Sequence, residues 1–139
     1  MTDRLTEAQR SHNMSRIRSK DTRPEMVVRR LVHAMGFRYR LHARSLPGKP
    51  DLVFPAKHKA ILVHGCFWHR HRCKEGRRSP QSRVEYWGPK IARNVDRDRR
   101  NRRRLRALGW SVLVVWECET LPSRLQGLSE RVKRFLIQP

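Results

Sequence analysis

Apolar residues recur along this chain with two different periods, and the switches between them mark its elements. Residues 1–20 are mostly polar; only Met14 and Ile17, three apart, suggest a turn of helix, so an arm with a short helix is expected there. Thr22 and Glu25 have capping-box spacing with Pro24 just inside, and Val27, Val28, Leu31, Val32 and Met35 follow at helical intervals up to Gly36. Phe37, Tyr39 and Leu41 then alternate with Arg38, Arg40 and His42, the period of a strand with one buried face, before Pro47-Gly48 marks a turn. Residues 51–54 and 60–64 are apolar runs separated by 55–59, a spacing that predicts a hairpin with a five-residue loop. From Pro89 to Leu108 the positions Ile91, Val95, Leu105 and Leu108 line one face of an otherwise arginine-rich helix ending at Gly109. Residues 112–116 are apolar on both faces, which predicts a central strand covered by helices. Leu125, Leu128, Val132, Phe135 and Leu136 predict a last amphipathic helix. The core order α-β-β-β-α-β implies an α/β fold, a mixed sheet flanked by helices.

Length and charge narrow the partners. The 139 residues suit one domain, read as an arm over 1–20 and a folded unit over 21–139. Thirty-three Lys and Arg against twelve Asp and Glu give a formal charge of +21, which makes nucleic acid the first candidate partner. With 37% hydrophobic residues and four tryptophans, a folded basic domain is favoured over a disordered chain. No apolar run approaches the ~18 residues needed to span a membrane. The first residues carry no hydrophobic signal core, so a cytoplasmic location with reduced thiols is expected. Three cysteines fit metal or free thiols better than a disulfide framework.

Four groups of residues carry candidate chemistry. Residues 64–73 hold two cysteines and three histidines; Cys66, His71 and Cys73 suit zinc, and Cys118 completes a tetrahedron if the strand before it neighbours the 60–64 strand. The simpler alternative is three unligated thiols and a surface imidazole. Asp51, expected to face His64 across the hairpin, offers a hard oxygen ligand which, with a strand carbonyl, would hold a divalent ion that activates water against a phosphodiester. Glu25 would support it, and His64 and His69 are the candidates for moving protons; taken alone, Asp51 reads equally well as a turn residue. Phe67 and Trp68, with Trp87, Met14 and Ile17, are large apolar groups able to wedge between base pairs, although the last three also suit an ordinary core. The arginine run 97–104 reads most simply as a solvated helix face, and otherwise as a phosphate-contacting one.

Taken together, Asn13-Met14, Asp21-Thr22 with Glu25, Ser45-Leu46-Pro47-Gly48 running into Pro50-Asp51, the segment His64 to His69, Asn94-Val95, Arg97-Asp98-Arg99-Arg100, Leu108-Gly109-Trp110 and Val115-Trp116-Glu117-Cys118 resemble the very short patch repair endonucleases of bacteria. The resemblance covers nearly the whole chain. It implies a restriction-endonuclease-like fold and a Mg²⁺-dependent nick 5′ of the thymine in a T:G mismatch left by deamination of 5-methylcytosine. It also implies Mg²⁺ on Asp51 and the backbone carbonyl of Val63, proton transfer by His64 and His69, and support from Glu25. Cys66, His71, Cys73 and Cys118 would be structural zinc ligands; Phe67, Trp68 and Trp87 an aromatic wedge; Met14 and Ile17 part of an arm on the minor-groove side. The expected partner is mismatched duplex DNA, bound by a monomer, with a contact to a mismatch repair protein left open. Val63 stands where the family has threonine, and Arg70 and Arg72 where it has histidines. A restriction-type nuclease and a non-catalytic zinc-stabilised DNA-binding module are the alternatives.

Overall fold

The computed structural model describes residues 22–78 and 83–139, so the arm with Met14 and Ile17 lies outside the described residues. Helix α1 spans Arg23–Ala34, with Pro24 in its first turn and Thr22 as N-cap, whose hydroxyl accepts the Glu25 N–H at 3.4 Å. Only half of the expected capping box forms. The Glu25 carboxylate turns instead to Arg29 and His42, because ion pairing in a buried setting outweighs a return bond to one backbone N–H. Val28 and Val32 face the core, and Gly36 at φ 93° ends the helix in the left-handed region that glycine tolerates best.

Strand β1 is shorter than the alternation predicts, Arg40–Leu41 alone, and Leu41 is exposed. Phe37 and Tyr39 do pack against the core, so the apolar pattern reports burial before strand pairing begins. Strands β2 (Leu52–Phe54) and β3 (Lys59–His64) form the expected antiparallel hairpin, joined by a 3₁₀ turn at Pro55–Lys57 and a left-handed His58. Leu52 pairs with Ile61, which puts Asp51 level with Leu62 and not opposite His64. The loop length sets that register.

Helix α2, Val84–Ala107, starts five residues before the expected Pro89, which sits inside it. Proline near a helix start removes a single hydrogen-bond donor, and the chain keeps the turn before it. Ile91, Asn94 and Leu105 are buried on its inner face, whereas Leu108, at the C-cap, is exposed. Strand β4, Ser111–Trp116, runs parallel to β3, with His64 level with Trp116.

Among the described residues the sheet order β1-β2-β3-β4 makes β4 an edge strand, not the central strand expected. Apolar residues on both faces say nothing about paired edges, and here only Val115 is fully buried while Val112, Leu113, Val114 and Trp116 are half-buried. The edge is partly shielded: Arg131 donates to the Val114 carbonyl at 2.9 Å, using an acceptor that another strand would otherwise seek.

Helix α3, Leu125–Ile137, packs with α1 on one sheet face, where Leu52, Phe54, Ile61 and Val115 meet Val28, Val32, Leu128, Val132 and Leu136. Each such side chain contributes ~1.5–3 kcal/mol relative to exposure. Alternation sends Ala60, Leu62 and His64 to the opposite face. At its start β3 is tied to the end of α3 by the buried Lys59, which donates to the Phe135 and Gln138 carbonyls. No helix among the described residues is long and apolar enough to cross a membrane.

Candidate active site and metal centres

The mouth of the hairpin carries the first group. Asp51 directly precedes β2, and its Oδ2 accepts the Val63 N–H at 2.7 Å, which fixes the carboxylate on the neighbouring strand. Glu25 and His42 reach it from α1 and the end of β1, so that one ligand atom from each of the three lies within 4.8 Å of the others. His42 Nε2 donates to Glu25 Oε2 at 2.9 Å, and Arg29 pairs with that same oxygen. Burial pushes the Asp51 carboxyl up from 3.8 to about 7; the Val63 N–H and Arg29 oppose the rise, and Glu25 adds to it. Two carboxylates that resist sharing a dry site fit a divalent cation, which would remove both the repulsion and the desolvation cost. His42 is a member that sequence reasoning missed; its only signal was a polar position beside the strand pattern.

The next residue along β3 belongs to a second group. His64 is buried and stacks on His69, ring centroids 4.0 Å apart and planes 6° from parallel. His69 Nδ1–H donates to Asp98 on α2. Desolvation, then the charge of His69, holds His64 down at about 3, with Arg102 adding to the fall and Asp98 opposing it, so His64 is neutral at pH 7. Its Nδ1 is buried without a hydrogen-bond partner among the described residues. Asp51 and His64 therefore join different groups, adjacent along β3 through Val63. Asp98 was legible only as one acid within the arginine run.

The third group gathers at the ends of β3 and β4, as expected if those strands are neighbours. Ligand atoms of Cys66, His71, Cys73 and Cys118 lie within 4.8 Å of one another. His71 Nδ1 is 3.7 Å from Cys66 Sγ and 3.5 Å from Cys118 Sγ, and the Cys118 N–H donates to Cys66 Sγ at 3.4 Å. Burial pushes the Cys66 thiol up. At Cys73 desolvation is outweighed by hydrogen bonds from the Gly76 and Glu75 backbone and the other thiols, and the thiol lies below its usual value. Three sulfurs and an imidazole at this spacing suit a soft tetrahedral ion.

Two backbone details build this cluster. Arg70 at φ 55° turns the chain so that His69 faces Asp98 while His71, two residues on, faces the thiols. Gly76 lies against the backbone of His71, where a Cβ would stand 2.0 Å from the carbonyl oxygen. Trp116 joins the groups: its ring stacks on His71 at 4.2 Å and meets His64 edge-on at 5.3 Å.

The aromatic candidates also meet. Phe67 lies 4.8 Å from Trp68, and Trp68 5.8 Å from Trp87, all half-buried, with Tyr86 a further member 4.9 Å from Trp87. Asn94 holds this loop through the Trp68 carbonyl at 3.3 Å.

Carboxylates beside stacked histidines, at one end of a mixed sheet in a strongly basic chain, are the parts of a nuclease that acts on DNA. Comparison with known proteins agrees. The family model described as DNA mismatch endonuclease Vsr matches residues 2–75, and the chain belongs to this family. It is 50% identical over 136 residues to the type II nicking enzyme V.XorIIP of Xanthomonas oryzae pv. oryzae, covering 98% of each chain. It is 45% identical to the DNA mismatch endonuclease Vsr of Escherichia coli K12, covering 98% of this chain and 88% of that one. The type II nicking enzyme V.NmeAIP of Neisseria meningitidis is 43% identical over 119 residues. Such a nuclease family implies a divalent metal.

Proposed function

We propose that this endonuclease nicks one strand 5′ of the thymine in a T:G mismatch arising from 5-methylcytosine deamination, with Mg²⁺ as catalytic ion and a restriction-endonuclease-like fold. The observation that carries the reading is the hairpin end, where Val63 holds the Asp51 carboxylate and the next residue, His64, stacks on His69. Asp51 and Glu25, with the Val63 carbonyl, would hold the cation. When bound it polarises the phosphate and lowers the pKa of an attacking water.

The chain's own groups handle the protons. His64, neutral at pH 7, accepts a proton from the attacking water. His69, its tautomer set by Asp98, presents Nε2 to the leaving oxygen. Such acid–base assistance is worth roughly 10²–10⁴ in rate. Cys66, His71, Cys73 and Cys118 hold zinc that orders the loop carrying His69. Phe67, Trp68 and Trp87 wedge at the mismatch, with Met14 and Ile17 of the 1–20 arm on the other groove and 21–139 as the endonuclease domain. The enzyme acts as a monomer in the bacterial cytoplasm.

The test is a strand-specific nicking assay on end-labelled duplexes identical except for T:G, A:T or C:G at one position. A Mg²⁺-dependent break 5′ of the mismatched thymine alone is expected. Equal cleavage of the A:T duplex would make it a restriction-type enzyme, and no cleavage of any duplex would leave a binding module.

A further inference from the structure

A cavity of about 790 Å³ opens beside the histidine pair, bounded by residues 69–72, α2, β4 and the start of α3. Its apolar wall is Val95, Val114 and Trp116. Its charges do not balance. Asp98 is engaged by His69, and Glu119 by Arg131 at 2.9 Å, whereas Arg72, Arg99, Arg102 and Arg124 also line the cavity and have no carboxylate partner among the described residues. Four arginines around one concave, partly apolar wall repel one another, and an anion entering there would turn that cost into attraction.

We propose that this cavity, which adjoins the cleavage centre through His69 and Asp98, seats a backbone phosphate of the DNA neighbouring the scissile one. Planar guanidinium forks match phosphate oxygens in pairs. The volume admits a phosphate with its sugar. His69 forms part of the same wall, so the cavity adjoins the position proposed for the scissile phosphate. Arg72, standing where the family has a histidine, keeps its charge at every physiological pH. The inference rests on the chain acting on DNA and not on its mismatch preference.

The experiment measures binding to a matched duplex by fluorescence anisotropy between about 50 and 200 mM salt. The Arg102→Gln, Arg124→Gln double variant is compared with wild type and with Lys133→Gln, Arg134→Gln, which removes the same charge from exposed positions of α3 outside the cavity. The cavity variant should weaken binding roughly 3- to 10-fold at the lowest salt and reduce the slope of log K against log salt by about 1, the control much less. Arg72→Gln alone, on the loop, should move the slope in the same direction and guards against misfolding of the double variant. Equal slopes for cavity variant and wild type, or an equal loss in the control, would overturn the proposal. So would orthophosphate raising the melting temperature of wild type but not of the cavity variant while DNA slopes stay equal, which would assign the cavity to free phosphate. Because the duplex is matched, loss of T:G preference in the nicking assay leaves this result standing.

Discussion

Replacing Asp51 by Asn should make the protein more stable when no divalent cation is added, and the size follows from the site. Asn keeps an acceptor for the Val63 N–H, so that bond survives while the charge disappears. In the fold the Asp51 carboxyl rises from 3.8 to about 7, chiefly through burial and further through Glu25. A carboxyl with a raised folded-state pKa contributes its stability fully below the unfolded value near 3.8 and loses it as pH climbs to about 7. At about 1.4 kcal/mol per tenfold change in proton affinity, the ionised carboxylate costs wild type up to about 4 kcal/mol at pH 8. For a chain of this size that corresponds to roughly 14 °C in melting temperature.

The assay is thermal denaturation followed by circular dichroism between pH 4 and 9, after desalting into buffer without added divalent ion. A chelator is avoided because it would also attack the thiol cluster. Asp51→Asn should melt higher than wild type at pH 8 and converge with it near pH 4. Adding Mg²⁺ should raise wild type alone and close or reverse the gap. A gap that is absent at pH 8, or constant across the pH range, would refute the reasoning.

Three further outcomes are expected. Purified wild type should contain about one zinc per chain by elemental analysis; Cys73→Ser should lose it, and Gly76→Ala, whose Cβ would meet the His71 carbonyl at 2.0 Å, should lose metal and melt lower, so full zinc content in both would contradict the cluster's role. Asp98→Asn should slow single-turnover nicking by roughly 10–10³-fold with mismatch affinity within twofold, since it sets the His69 tautomer without touching the aromatic wedge; a change in affinity alone would argue against that role. Lys59→Met, which leaves the Phe135 and Gln138 carbonyls without their donor, should cost about 1–3 kcal/mol in urea denaturation, and an unchanged midpoint would mean that water replaces the lysine.

Periodicity revealed elements where one face alone is buried. The helical spacing of Val28 and Val32 follows from one face meeting the core, whereas the hairpin around Pro55 was legible as two short apolar runs, buried on both faces, flanking a turn. Periodicity misplaced β4, because an edge strand whose two faces are both apolar has the same pattern as a central one, although most of β4 is only half-buried. It also started α2 late, since proline reads locally as a helix start although one missing donor is tolerated inside a long helix. The four thiol-cluster residues were legible because cysteine is scarce and every one was used. His42 and Asp98 were not, because their partners, Glu25 and His69, are distant in sequence and meet them only through tertiary packing.

Trp116 has a consequence for how such a protein changes over generations. One indole touches His64 of the histidine pair on its edge and His71 of the thiol cluster on its face. A substitution there disturbs reaction and scaffold together, and a compensating change has to satisfy both at once. Variation at 64, 71 and 116 is therefore expected to be epistatic, a replacement harmless in one background being harmful in another. Lineages should exchange these three residues as a set or leave them alone.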